Sequence, residues 1–134
     1  MSESIGIGVK HPVIHFEIIG RDPSRLGSFY ADMFGWQIAK PQEGDPMEYH
    51  LIDTVPEDEH VIAGGIGKAP EGYDGHVTFY VRVDDVEAAL KKAEANGGSR
   101  MMGPDTVPMP NGGSIVIGLL CDPEGHTIGL VDPG

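Results

Sequence analysis

Laid over itself with a shift of 63 residues, the chain repeats: Asp22 falls on Asp85, Gly35 on Gly98, and Ile14, Phe16 and Ile18 on Val77, Phe79 and Val81. The two aspartates stand where a helix needs an N-cap, Pro23 occupies a first helical position, Gly35 supplies the first stop and Gly97 or Gly98 the second. The apolar triplets that precede them alternate at the period of a half-buried strand. Within the helices Leu26 and Tyr30 fall on Ala89 and Ala93, while the rest of each stripe is offset. Strand, cap and stop in one register mark an internal duplication.

The first stripe is Leu26, Phe29, Tyr30 and Met33, spaced i, i+3, i+4, i+7; the second is Val86, Ala89, Leu90 and Ala93. Each is expected to face the core. Three strand-like runs follow each helix: "WQIAK", "EYHLIDT" and "HVIAGGI", then "SRMM", "SIVIGLLC" and "HTIGLVD". A "DPEG" turn introduces the last. Each half therefore reads β-α-β-β-β, and the chain is expected to be one α+β domain. Its modules span about 11–66 and 75–132, joined by the linker "GKAPEGYDG" (67–75). Neither half can bury its strands alone, so the two are expected to form an open, curved, eight-stranded cleft. "PQEGDPM" (41–47) and "GPDTVPMPNGG" (103–113) read as irregular loops, the second placed to act as a lid.

Charge and composition exclude several classes. A net charge of −12 opposes nucleic-acid binding. No apolar run approaches the roughly 20 residues of a membrane span. "MSESIGIGVKHP" lacks the basic-then-apolar pattern of a secretory signal, and the single Cys121 allows no internal disulfide. A cytoplasmic location is expected.

The stretches "HFEIIGRDPSRLGSFYADMFGW", "FYVRVDDVEAALKKAEANGG" and "CDPEGHTIGLVD" resemble the vicinal oxygen chelate superfamily. That superfamily includes glyoxalase I, extradiol dioxygenases, fosfomycin-resistance proteins and bleomycin-binding proteins. The match covers nearly the whole chain and implies a fold of paired β-α-β-β-β modules, commonly assembled as twofold dimers. It leaves the activity open, because isomerases, oxygenases, transferases and non-catalytic binders share the fold.

In the metal-dependent members that the chain resembles, four cleft-facing positions hold the ion. These are a His on the first strand of each half and an acid or its substitute on each last strand. The first position is His15, seven residues before Asp22; the second, seven before Asp85, is Thr78, with His76 two residues earlier on the same face. The third falls in "VIAGGI" (61–66), which contains no acid, and the fourth is Gly129. One ligand of four survives, so no metal cofactor is expected. The alternative is a lyase, isomerase or dioxygenase holding a divalent Zn, Ni, Mn or Fe on His15 and His76 with Glu17, Glu48 or His50. It would need a two-residue shift in the second half, part of which a β-bulge could supply.

By strand alternation His15 and Glu17 share the face opposite Phe16, and Thr78, Tyr80 and Arg82 the face opposite Phe79. The resemblance turns those faces to the cleft. His15 reads as a general base or a structural histidine. Glu17 reads as a catalytic acid or as half of a buried pair with Arg82 or His15. Tyr49, Thr78, Tyr80, Arg82 and Gly129 form the candidate ligand-binding set, the tyrosines by stacking or hydrogen bonding or simply as cleft wall. His11, His50 and His60 read as surface or strand residues, and His126 as bonding the backbone of its turn. Cys121 reads as inert, and Lys91 and Lys92 as a solvated helix face. The function expected is small-molecule binding without metal, for sequestration or for acid–base chemistry by His15 and Glu17, in a homodimer. The competing reading is a vestigial cleft in a subunit whose role is association.

Overall fold

A computed structural model describes residues 11–53, 62–110 and 112–134; His60 lies outside them. The elements are β1 (Val13–Gly20), α1 (Pro23–Phe34), β2 (Gln37–Ile38), β3 (His50–Asp53), β4 (Ala63–Lys68), β5 (His76–Arg82), α2 (Val86–Ala95), β6 (Ser99–Pro108), β7 (Ser114–Cys121) and β8 (Thr127–Asp132). This is β-α-β-β-β twice. The strands bond in the order β2-β3-β4-β1-β5-β8-β7-β6, an α+β architecture with one open eight-stranded sheet ending at β2 and β6. In each half the first and last strands run parallel (β1 with β4, β5 with β8) and the remaining pairs are antiparallel. Residues 15–79 form one compact unit and residues 80–134, with those before 15, another, so β1 and β5 pass through both. Among the described residues no helix is long and apolar enough to cross a membrane.

In the unit 15–79, the Asp22 carboxylate accepts from the Arg25 N–H at 3.1 Å, and Gly35 closes α1 in the left-handed region at φ 71°. Ile18, Ile52 and Ile66 form the core, with Phe16, Leu26, Tyr30, Trp36 and Ile38 against them. The helix packs closely at Gly27, where a Cβ would stand 3.2 Å from Ile38. That contact corrects the expected stripe. The inward face is Pro23, Leu26, Gly27 and Tyr30, and it leaves Phe29 and Met33 54% and 57% exposed.

In the unit 80–134, the Asp85 carboxylate accepts from the Ala88 N–H at 3.0 Å. Val86 and Leu90 pack on Val83 and Leu130, as the second stripe requires. The opposite sheet face is also apolar, built from Tyr80, Leu119 and Val131 with Ile14, Met102, Ile115 and Ile117. The expected loop at 103–113 is mostly strand. β6 runs to Pro108 and pairs with β7 through Asp105, Thr106, Val107 and Pro108. Pro104 falls at the register shift between Met102 and Asp105, on a strand at the end of the sheet. A missing N–H is tolerated at such bulges and edges. Beyond β6 the Met109 N–H donates to Gly113 O at 2.7 Å.

Candidate functional site

The unit 15–79 carries its polar residues on the sheet face away from α1. Phe16 and Ile18 turn toward the helix-side core, so alternation sends His15 and Glu17 to the other side. Five side chains there join in one hydrogen-bonded chain. His15 Nε2 lies 2.9 Å from the Tyr49 hydroxyl, which donates to Glu17 Oε1 at 3.0 Å. His76 Nε2 lies 2.8 Å from Glu17 Oε2, and the Tyr73 hydroxyl 2.5 Å from His76 Nδ1. The Glu17 and His76 side chains are only 8% and 10% exposed.

The donors and acceptors fix the protons. A carboxylate only accepts, so the His76 nitrogen facing Oε2 carries hydrogen. In the neutral imidazole Nδ1 then accepts from Tyr73. The single Tyr49 proton points at Glu17, so His15 Nε2–H donates to the tyrosine oxygen and Nδ1 is the unprotonated nitrogen. Burial pushes the His15 imidazole below its ordinary value, and the nearby Glu17 charge pulls it partly back. His15 is thereby a neutral imidazole, able to accept a proton but poorly disposed to keep it.

Tyr49 is held from two sides. The Asp45 carboxylate accepts from the Met47 and Tyr49 N–H groups at 2.9 and 3.0 Å, and Glu48 takes a left-handed conformation at φ 46°. Beneath the ring lie Gly65 and Gly67 of β4, where a Cβ would stand 2.1 and 2.8 Å from ring atoms. In the parallel pairing Glu17 sits beside Gly65 and His15 beside Ala63. A bulkier residue at 65 would evict Tyr49.

The predicted residues separate into groups. His15, Glu17 and Tyr49 meet in this chain, and Thr78 is buried in the same unit. Glu17 is held by Tyr49 and His76; of the two expected partners, His15 reaches it through Tyr49 and Arg82 is exposed. Tyr80 and Gly129 meet in the other unit, as direct cross-strand neighbours. A Cβ at 129 would stand 2.6 Å from the Tyr80 ring, so the ring fills the space that Gly129 leaves. Tyr73 and the role of His76 were missed by sequence reasoning. His50 is buried on the same strand face as Ile52, with Nδ1 2.8 Å from Ala39 O and no partner for Nε2. The ring of His126 meets the Asp122 carboxylate at 2.9 Å, not the backbone expected.

The four positions that hold an ion in metal-dependent members supply here one imidazole, one hydroxyl and no carboxylate: His15, Thr78, the Ala63–Gly65 stretch and Gly129. Among the described residues no group of three or more His, Cys, Asp or Glu side chains could hold a metal ion. Of the alternative set, Glu48 pairs with Lys68 at 3.4 Å, His50 lies on the helix-side face, and His76 and Glu17 meet each other at 2.8 Å.

Duplicated β-α-β-β-β modules with parallel outer pairs, and polar residues on the face away from the helix, define a glyoxalase-like class of protein. The sequence profile of the Glyoxalase/Bleomycin resistance protein/Dioxygenase superfamily matches residues 13–130, and the chain belongs to that family. It is 32% identical over 98 residues to a glyoxylase-like domain-containing protein of Didymella fabae, covering 69% of this chain and 77% of that one. It is 28% identical over 130 residues to a lactoylglutathione lyase of Haemophilus influenzae, covering 90% and 91%. Among solved structures, methylmalonyl-CoA epimerase from Mycobacterium tuberculosis matches with a TM-score of 0.61 at 15% identity, covering 91% and 87%. A hypothetical protein from Bacillus halodurans matches at 0.64 with 12% identity, covering 94% and 96%. These structural likenesses are likenesses of fold.

Proposed function

We propose that this chain binds a small organic molecule against His15 and Glu17 and moves a proton on it without a metal ion. The observation that carries the reading is the directed chain from His15 through Tyr49 to Glu17. It gives a neutral imidazole with an unprotonated Nδ1, linked through Tyr49 to a buried carboxyl group that His76 also contacts. General-base catalysis needs a positioned group that is unprotonated at working pH, and burial keeps His15 so. The carboxylate-free donor set argues for chemistry by side chains alone.

The test is a thermal-shift and NMR screen of small organic acids, metabolites and antibiotics on the full chain in excess chelator. A binder is expected whose stabilisation is lost in His15→Gln and in Glu17→Gln. A screen in which no compound binds, or in which binders are indifferent to both substitutions, refutes the reading. Binding that appears only after a divalent ion is added refutes its metal-independent part.

A further inference from the structure

The connectivity of Tyr73, His76 and Glu17 is that of a nucleophile, a base and an orienting acid. A hydroxyl lies 2.5 Å from one imidazole nitrogen, and the other nitrogen lies 2.8 Å from a carboxylate oxygen. The base and the acid are buried, while Tyr73 remains partly exposed and lines a depression of about 260 Å³ on the segment 67–75. Hydroxyl, imidazole and carboxylate in this order activate nucleophiles on unrelated folds, because the carboxylate fixes the tautomer and steadies the imidazolium that forms. The segment that carries Tyr73 is fixed to β1. The Ala69 N–H donates to Gly20 O at 2.8 Å, and Gly75 passes so close to Ile19 O that a Cβ would stand 2.1 Å from it.

We propose that Tyr73, His76 and Glu17 form a second reactive site, with the phenol as nucleophile toward small uncharged activated esters. With the carboxylates paired to its cations counted, the depression carries one net negative charge rather than a positive one. Arg21 is answered by Asp74 and Lys68 by Glu48, and Glu71 adds one negative charge to the lining. A volume of this size is at the small end of ligand pockets. In the reaction Tyr73 Oη bonds to the acyl carbon as the ester C–O bond breaks. The phenol proton passes to His76 Nδ1 and from there to the departing oxygen, while Glu17 orients the imidazole through Nε2. The site shares Glu17 with the His15 reading but uses neither His15 nor Tyr49, so labelling of Tyr73 and its dependence on His76 test it separately.

The test is acetylation of the intact protein by p-nitrophenyl acetate, located by peptide mass spectrometry and by its reversal in hydroxylamine. Tyr73 is expected to react tenfold or more faster than Tyr30 in the same molecule, general-base assistance being worth about 10²–10⁴-fold. His76→Gln should remove most of that advantage. Acetylsalicylate, an anionic ester, should label Tyr73 more slowly than its neutral counterpart phenyl acetate. Equal rates at Tyr73 and Tyr30 in the unmodified protein overturn the proposal without any variant. So does a folded His76→Gln protein that labels Tyr73 at the full rate. Neither result bears on ligand binding at His15.

Discussion

Replacing Tyr49 by Phe keeps the ring on Gly65 and Gly67 and removes one oxygen, so the experiment isolates the hydroxyl that joins His15 to Glu17. Glu17 loses a donor at 3.0 Å, and the His15 Nε2–H loses an acceptor at 2.9 Å. A hydrogen bond to a charged group contributes about 1.5–3 kcal/mol, and a buried group left without a partner costs about 1–3 kcal/mol. The two losses share one oxygen and partly relax together, so the expected destabilisation is about 2–4 kcal/mol with no cavity contribution. For a chain of 134 residues, between the size classes with measured scaling, this is a drop of roughly 8–15 °C in melting temperature. Thermal and urea unfolding followed by circular dichroism measure it, the urea midpoint falling with the slope unchanged. Combining Tyr49→Phe with Glu17→Gln should cost less than the sum of the two, with a coupling of about 1–2 kcal/mol. A loss below about 0.5 kcal/mol, or strict additivity, would show that the hydroxyl does not bridge the buried pair.

Gly65→Ala should disturb the same bridge from below, because its Cβ would stand 2.1 Å from the Tyr49 ring. A loss of about 2 kcal/mol or more is expected, and an unchanged urea midpoint would refute it. The folded His15 value is depressed, so the unfolded chain binds more protons as pH falls below about 6.5. Stability should then decline from about pH 6.5 down through the lowered folded value and be indifferent to this group above it. That slice of the pH profile should vanish in His15→Gln; a profile identical to that of the unmodified protein would count against the burial argument. Chelator should leave the melting temperature unchanged, and about one ion per chain by elemental analysis, lost on His15→Ala, would overturn the metal-independent reading. Building the family's site by Thr78→His with Gly129→Glu should fail on Gly129, where the Tyr80 ring stands in the way, unless Tyr80 is also made small; metal binding by that pair with Tyr80 intact would refute the packing argument. We expect a homodimer, since Phe29, Met33 and Phe34 on α1 are each more than half exposed and Val77 is 75% exposed; a monomer by light scattering at tens of micromolar would refute it.

The fold was legible because its signals are local and repeated. Asp22 and Asp85 cap the helices and Gly35 ends the first, but in β5 the expected buried triplet fails, since Val77 and Phe79 are exposed and Thr78 and Tyr80 are buried instead. The misjudged elements depended on contacts distant in sequence. Leu26 and Tyr30 go inward and Phe29 does not because Gly27 lets α1 settle on Ile38, and no stripe on one helix reveals where its neighbour stands. Pro104 reads as a loop residue until β6 proves to be at the end of the sheet, where a bulge accommodates it. His15, Glu17 and Tyr49 could be picked out by alternation and chemistry. Tyr73 carried no signal, because a tyrosine three residues before a histidine in a Pro/Gly-rich linker is unremarkable until the linker folds back on β1. The glycines at 64, 65 and 67 were the unread clue, since a strand that omits side chains there leaves room for something large.

The duplication also shows where the halves diverged. Under the 63-residue shift Glu17 corresponds to Tyr80, and each sits beside a glycine of its parallel partner strand, Gly65 and Gly129. In both places an aromatic ring covers the glycine, a pairing that restores packing where a strand lacks a side chain. In the unit 80–134 the ring belongs to Tyr80 itself, and the face closes into an apolar cluster with Leu119 and Val131. In the unit 15–79 the ring comes from Tyr49, brought in by the Asp45 turn, and position 17 is released for a carboxylate. Burying that carboxylate is tolerable only with partners for both oxygens, and Tyr49 and His76 are those partners. The same backbone thus supports a packed apolar face in one unit and a charged, hydrogen-bonded one in the other. That asymmetry, more than any single histidine, is the reason the proposed chemistry is sought in the unit that contains His15.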